Sequence, residues 1–191
     1  MRTFARTDGG QSTTELALVL APLLLIIVFG LIELAGLMTD AMTMSAASRD
    51  ASMLAAEGGS ILGTDCLVLQ RIESDIVSPA RAVRVEEVMI YWADKNGGQI
   101  GSFKNVYDRS GSTACDLGGS TFSVPYTLTT SGYLEATRCD VLAGCGGAHT
   151  GVDTVGVQIT YEHQWLTSFA RLTGSGITFA ETTATRVEPQ L

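Results

Sequence analysis

The 191 residues of this chain include 12 Lys and Arg against 20 Asp and Glu, which gives a net charge of -8 at pH 7. Because 46% of the residues are hydrophobic and only 17% are charged, an intrinsically disordered chain is excluded, and the length fits one domain with an apolar extension. The acidic excess persists beyond residue 40 and disfavours sequence-independent binding to phosphates, so we expect no nucleic-acid partner.

The first predicted element is a long apolar helix near the N-terminus. No charged residue occurs in Leu16–Ile32, and after Glu33 the apolar run resumes as far as Met38. A run of this length is sufficient to span a bilayer. The sequence therefore predicts a transmembrane helix over residues 11–38.

Charge on either side of this helix predicts its orientation. Arg2 and Arg6 precede it, whereas a large acidic segment follows. Basic residues favour the cytoplasmic side, so we expect a cytoplasmic N-terminus and an extracytoplasmic domain over residues 39–191 of a single-pass cell-membrane protein. A cleaved secretory signal peptide is the alternative, with the small residues Ser45–Ser48 as its cleavage site.

A possible processing site lies just before the apolar run. A cut after Gly10 makes Gln11 the first residue and places the carboxylate of Glu15 at the fifth position. An ionised side chain at the edge of the hydrocarbon is costly unless it is paired, and the i, i+4 spacing brings Glu15 near the new amine of Gln11. Alternatively, Glu15 caps the start of the helix after Ser12–Thr14.

Several features of this segment match one family: Gly10, Thr14–Glu15, the apolar run Leu16–Val19, Pro22 within a Leu and Ile run, and Phe29–Gly30 ahead of Ile32–Glu33. Near the C-terminus, Tyr161 and the closing segment Thr185–Pro189 match as well. On these residues the chain resembles the TadE-like minor pseudopilins of the tight adherence (Tad) pilus system, which are related to type IV pilins.

The resemblance implies a minor pilin or pseudopilin that acts as a structural component in assembly of a Tad (Flp-type) adhesive pilus. A prepilin peptidase would cut after Gly10, so that residues 1–10 form a leader peptide and Gln11 begins the mature chain. Glu15 would set assembly register by meeting the amine of a neighbouring subunit. The implied partners are the prepilin peptidase, other pilin-like subunits and the inner or cytoplasmic membrane.

The helix is expected to continue beyond the membrane. Residues 39–57 are rich in Ala, Met and Ser, and Gly58–Gly59 provides a stop signal. Ala47, Ala51 and Ala55 recur on one face, which would let the sheet or another helix approach closely; ordinary filling of a helix by Ala is the alternative.

The next segments predict a helix and a hairpin. Leu67–Val77 has an apolar stripe at helical spacing, and Val83–Trp92 alternates as a strand with a change of phase after Glu87 that predicts a bulge. Lys95–Gly98 is a turn signal that would fold this strand back onto Ile100–Tyr107.

The C-terminal part predicts two further strands. Val155–Trp165 alternates strictly, and the Thr-rich segment Ile177–Val187 can return beside it. Residues 110–150, dense in Gly, Ser and Thr, are expected to form an irregular insertion in which only Thr121–Leu128 is extended. The predicted fold is α+β: the long helix packs on an antiparallel sheet of about four strands, as in pilins.

Four cysteines lie on the side predicted to be extracytoplasmic: Cys66, Cys115, Cys139 and Cys145. An even count in an oxidising compartment favours disulfides. Pairing Cys139 with Cys145 would close a small loop and leave Cys66 for Cys115, but the sequence leaves the connectivity open. Zinc bound by Cys139, Cys145 and His149 is the alternative, although the short C-x2-C spacing is missing.

The sequence offers little support for an enzyme. Only His149 and His163 are available for histidine catalysis, and His163 falls within an apolar alternation, where a structural role is favoured. No G-x-S-x-G elbow or phosphate loop occurs, and Glu86 and Glu87 would point to opposite faces of a strand. Five loop aspartates lack the spacing of a calcium loop: Asp65, Asp108, Asp116, Asp140 and Asp153. We therefore expect no catalytic residue, cofactor or metal.

An alternative function remains open at this point. The chain could be a single-pass membrane-anchored module for extracytoplasmic binding or adhesion that is not processed as a pilin. In that case the match between Gly10 and Glu15 would be accidental, and the chain would keep its N-terminal segment.

Overall fold

The computed structural model describes residues 9–140, 151–167, 171 and 174–188, with side chains described from residue 13 onward. In chain order, the helices and strands are α1 (Gly9–Gly58), α2 (Thr64–Asp75), β1 (Val85–Ala93), β2 (Gln99–Asp108), β3 (Thr113–Leu117), β4 (Ser120–Val124), β5 (Thr127–Ser131), β6 (Thr154–Gln164) and β7 (Gly176–Arg186). The fold is α+β, as predicted.

Helix α1 is one uninterrupted element that joins the apolar segment to the rest of the chain. It continues through Pro22 and ends at Gly58. Gly59 follows with a φ of 51°, a left-handed conformation that glycine adopts without strain, and its N–H donates to the carbonyl of Ala55 at 3.1 Å. The predicted extension over residues 39–57 and its stop at the glycine pair are confirmed.

The main sheet of the described residues has five antiparallel strands in the order β5-β2-β1-β6-β7. The hairpin of β1 and β2 turns at Asp94–Gly98, where Gly97 has a φ of 85° and donates its N–H to Asp94. In the pairing of β1 with β6, the residue register shifts between Val85 and Glu87. The predicted hairpin, the bulge and the pair β6–β7 are confirmed.

The segment expected to be an irregular insertion is more ordered than predicted. Strands β3 and β4 form a separate two-stranded sheet across Gly118–Gly119, and β5 adds a fifth strand beside β2. All five side chains of β5 are exposed, so its sequence has no apolar alternation by which a strand could be predicted. Residues 141–150 of the predicted insertion lie outside the described residues.

The upper half of α1 packs on β6 and β7 through a face of small residues. Helix α1 also packs on α2, and Ala47, Ala51 and Ala55 are fully buried in this core, so close packing, and not ordinary filling, explains their spacing. On the same side, Ser48 donates its hydroxyl to the carbonyl of Val157 at 3.0 Å, and the Ser52 hydroxyl lies 2.9 Å from that of Thr185.

A disulfide fastens α2 to the smaller sheet. Cys66 in α2 and Cys115 in β3 are bonded. Cys139 is disulfide-bonded as well, and Cys145, one of its candidate partners, lies outside the described residues. The first bond closes a long loop, so it limits the conformations open to the unfolded chain.

A buried ion pair forms the polar centre of the head. The Arg138 guanidinium donates to the carboxylate of Asp65, which also accepts hydrogen bonds from Asn105 and Tyr107, each at 2.8 Å. Burial lowers the pKa of Arg138, but the charge and hydrogen bond of Asp65, together with Tyr133 and Glu135, outweigh it, and the net effect raises that pKa. Burial, followed by the same carboxylate, raises the pKa of the Tyr107 phenol.

We expect Arg138→Met to lower the free energy of unfolding by about 3–5 kcal/mol, because it leaves the Asp65 carboxylate buried without its cation. Urea denaturation of the full chain in detergent micelles, followed by tryptophan fluorescence, measures this change. The control is Arg186→Met, whose side chain is 63% exposed, and its expected change is below about 0.5 kcal/mol. Equal stability of the two variants would contradict the assigned role.

Candidate functional site

The lower half of α1 is exposed to the surroundings wherever the structure describes its side chains. Every side chain from Thr13 to Ile32 is exposed, and those between Leu16 and Ile32 are apolar or glycine. At about 1.5 Å per residue this bare stretch is roughly 30 Å long, close to the thickness of a bilayer's hydrocarbon core. Among the described residues, this is the one helix long and apolar enough to cross a membrane, and it indicates single-pass membrane anchoring.

Glu33 marks the point where the bare stretch ends. Its side chain is buried and accepts two successive backbone N–H groups just after β6: that of Leu166 at 3.0 Å and that of Thr167. Hydrogen bonds to an ionised acceptor are stronger than neutral ones. The charge that interrupts the apolar run therefore joins the helix to the sheet.

Two turns further along α1, Asp40 makes a second connection to β6. Its Oδ2 atom lies 2.7 Å from Nδ1 of His163, and the two side chains are only 5% and 2% exposed. The prediction that His163 is structural agrees with this burial. Its ring also contacts Trp165 edge-on, with the ring centroids 5.6 Å apart.

Between these two carboxylates, Gly36 allows the chain after β6 to approach the helix. A Cβ atom at this position would lie 2.9 Å from Cδ1 of Leu166 and 3.5 Å from Cε1 of His163. A larger residue would therefore push Leu166 away. We call Glu33, Gly36 and Asp40, with His163 and Leu166–Thr167, the attachment site.

The attachment site was not predicted from the sequence, although a signal for it exists. Glu33, Gly36 and Asp40 are three and four residues apart, a spacing that places polar or small residues on one face of a helix. Finding their partners requires the tertiary structure, because His163 is 123 residues from Asp40 in the chain.

The residues predicted for processing and assembly lie at the start of α1. The described part of the helix starts at Gly9, so Gly10 and Gln11 are in the first turn that the structure describes, and that turn contains no acidic residue. Glu15 is exposed in the following turn, and its spacing from Gln11 places the two on the same face. Ser12–Thr14 are thus inside the helix and not at its cap, which disfavours the capping interpretation of Glu15.

The aspartates considered for calcium do not converge. Asp65 binds the groups of the buried ion pair, the Asp140 carboxylate accepts the hydroxyl of Ser60 at 2.7 Å, and the Asp153 carboxylate accepts that of Tyr133 at 2.7 Å. No group of three His, Cys, Asp or Glu within the described ranges could hold a metal ion. The zinc alternative depended on Cys145 and His149, which lie outside those ranges.

A cleft of about 480 Å³ opens between α2 and the edge of the main sheet. Its wall is largely apolar, with Leu62, Leu69 and Leu134 among the lining residues. Its Glu135 carboxylate accepts the backbone N–H groups of Gly63 at 2.7 Å and Asp65 at 2.6 Å. The Glu135 carboxylate therefore stabilises the N-terminus of α2.

Comparison with known proteins supports the resemblance based on the N-terminal motif. Residues 10–53 match the family model described as TadE-like protein, a range that includes the bare stretch and the helix side of the attachment site. No curated protein and no solved structure gives a significant match. The match is consistent with a TadE-like protein associated with a Tad pilus, a family with a structural and not an enzymatic role.

We expect Glu33→Ala to loosen the chain after β6, because the N–H groups of Leu166 and Thr167 lose a charged acceptor. At about 1–3 kcal/mol for this loss, their amide hydrogens should exchange roughly 5- to 150-fold faster. Hydrogen exchange of the full chain in lipid nanodiscs, read by mass spectrometry, measures the rates. Glu57→Ala, an exposed acidic position on the same helix, should leave them unchanged. Unchanged rates in Glu33→Ala would contradict the assignment.

Proposed function

We propose that this chain is a minor pilin or pseudopilin, a structural component in assembly of a Tad (Flp-type) adhesive pilus, which a prepilin peptidase cleaves after Gly10. The observation that carries the proposal is the TadE-like match over residues 10–53, because it begins at the predicted cleavage site and covers the bare apolar helix. In this proposal residues 1–10 are a leader peptide and residues 39–191 are the extracytoplasmic domain.

The bare stretch of α1 supports a role in lateral packing of subunits. Its exposed apolar side chains surround the helix, so they can exchange lipid contacts for contacts with helices of other pilin-like subunits as these leave the bilayer. Glu15 is the one charged residue between Thr13 and Ile32. A positive partner stabilises a carboxylate beside hydrocarbon, so pairing of Glu15 with the Gln11 amine of the same or a neighbouring chain favours one assembly register.

The connection between α1 and the sheet implies that the packing register of the helix also determines the position of the head. The buried face of Ala47, Ala51 and Ala55 and the attachment site fix the head on the helix over about six turns, from Glu33 to Ala55. A helix that packs beside another subunit therefore carries its head to a defined position next to the partner's head.

The proposed location has the N-terminus in the cytoplasm and the head outside the membrane. The disulfide between Cys66 and Cys115 supports this orientation, because such bonds persist in oxidising compartments. Arg2 and Arg6, ahead of the apolar run, support it independently. The proposed partners are the prepilin peptidase, other pilin-like subunits and the membrane.

Coexpression of the full chain with a Tad prepilin peptidase tests the proposal. The membrane-bound product is expected to begin at Gln11, and intact-mass analysis should show the loss of residues 1–10. Gly10→Glu should block this cleavage, because a bulky charged side chain replaces the residue at the cut. The matched control Gly9→Ala should be cleaved like the wild type.

The same experiment separates the proposal from its rivals. A product that keeps Met1 in the presence of active peptidase would favour the membrane-anchored binding module. A product that begins near Ala46 would indicate a secreted protein and would overturn both membrane-bound functions. Cleavage of the Gly10→Glu variant at the normal position would contradict the assigned role of Gly10.

A further inference from the structure

The length of the bare stretch determines how close the head lies to the bilayer. From Thr13 to Ile32 the helix rises roughly 30 Å, which uses the whole hydrocarbon thickness. The next residue, Glu33, is already covered by the chain that follows β6. Little exposed helix is therefore left to separate the head from the lipid headgroups.

The residues just after β6 are held at this same level. We call Trp165–Thr167 the base loop. The hydrogen bonds of Leu166 and Thr167 to Glu33, together with the close approach of Leu166 to Gly36, fix the base loop beside the helix where the apolar run ends. Its position relative to the bilayer is thus tied to that of Glu33.

The side chains of the base loop fit the chemistry of a membrane interface. Leu166 is 55% exposed although it is apolar, and Trp165 is partly buried. Tryptophan favours the headgroup level because one edge of its ring is apolar and the other can donate a hydrogen bond. Arg171 donates its Nε–H to the carbonyl of Trp165 at 3.3 Å and is exposed, so a positive charge lies next to the base loop, and such a charge is suited to bind lipid phosphates.

Exposed apolar residues of α1 continue this surface. Leu34 is 47% exposed and Met38 is 53% exposed, although both lie beyond the start of the head. Helical spacing places Leu34 and Met38 on the side of α1 away from Leu166, so exposed apolar residues flank the helix on both sides just above the bare stretch, and we call these three residues the apolar rim. Water would contact this rim if the head stood clear of the bilayer.

We propose that the base loop is a lipid-contacting surface that seats the head in the interfacial layer of the membrane. Trp165 and Leu166 enter the headgroup and upper acyl region, and Arg171 faces the lipid phosphates. The proposal rests on the membrane anchoring included in the proposed function, but it does not depend on cleavage after Gly10. The proposed partner is a lipid surface, because the base loop lies directly next to the bare stretch that is proposed to span the bilayer.

The two tryptophans of the chain provide an internal control for this proposal, because one lies level with the start of β6 and the other follows its end. Trp92 in β1 is paired with Val155 at the start of β6, whereas Trp165 follows the end of β6. Ten residues at about 3.3 Å each separate these levels by roughly 30 Å. Trp92 should thus be far from the lipids.

Fluorescence quenching by labelled lipids tests the proposal on the full chain. Trp92→Phe leaves Trp165 as the only tryptophan, and Trp165→Phe leaves Trp92. Each variant is reconstituted in phosphatidylcholine vesicles that carry either a headgroup nitroxide or bromine atoms on the upper acyl chain. Trp165 should lose most of its emission with both labels, and Trp92 should lose none. Adding Leu166→Asp to Trp92→Phe should weaken the quenching of Trp165.

The outcomes distinguish this inference from the proposed function. If the chain floats with the vesicles but Trp165 is not quenched, the inference fails while membrane anchoring stands. If both tryptophans are quenched, the head lies on its side and the proposed seating is wrong. If the chain does not float with the vesicles, membrane anchoring and this inference both fail.

Discussion

The structure depends on one constraint: a single helix, α1, serves two different environments. Below Glu33 its side chains are exposed and apolar, whereas above it one face is buried in the head. A helix satisfies its own backbone hydrogen bonds in both environments, so the element continues without a break across the boundary. Only the side chains change: below Glu33 they are apolar on all sides of the helix, and above it a narrow face of alanine and serine packs in the head.

The boundary is made by two acidic side chains whose charges are satisfied by the head. Glu33 accepts backbone N–H groups from the base loop, and Asp40 lies beside His163 of β6. Acidic groups with these partners can be buried, whereas the same groups without partners would be costly next to hydrocarbon. The two connections therefore define where the bare helix ends and how the head is oriented on it.

Local patterns in the sequence were sufficient to predict the elements with strong apolar periodicity. The long helix, α2, the β1–β2 hairpin and the β6–β7 pair follow from such patterns and from turn residues such as Gly97. Strand β5 has no buried side chain and adopts its conformation only because β2 offers an edge with which it pairs, so its own residues could not predict it. The attachment site likewise depends on contacts between residues more than 120 positions apart. Of the residues in the attachment site, only His163 could be assigned a structural role from the sequence, because it falls within an apolar alternation.

The central claim is that the bare half of α1 lies in the bilayer while the half above Asp40 does not. Nitroxide labels at Leu18→Cys, Leu24→Cys and Met42→Cys test it directly, because these exposed positions lie below and above the attachment site. In lipid nanodiscs we expect the labels at 18 and 24 to be accessible to oxygen and protected from a water-soluble nickel chelate, and the label at 42 to show the reverse. Equal access of the nickel chelate to positions 24 and 42 would contradict the account.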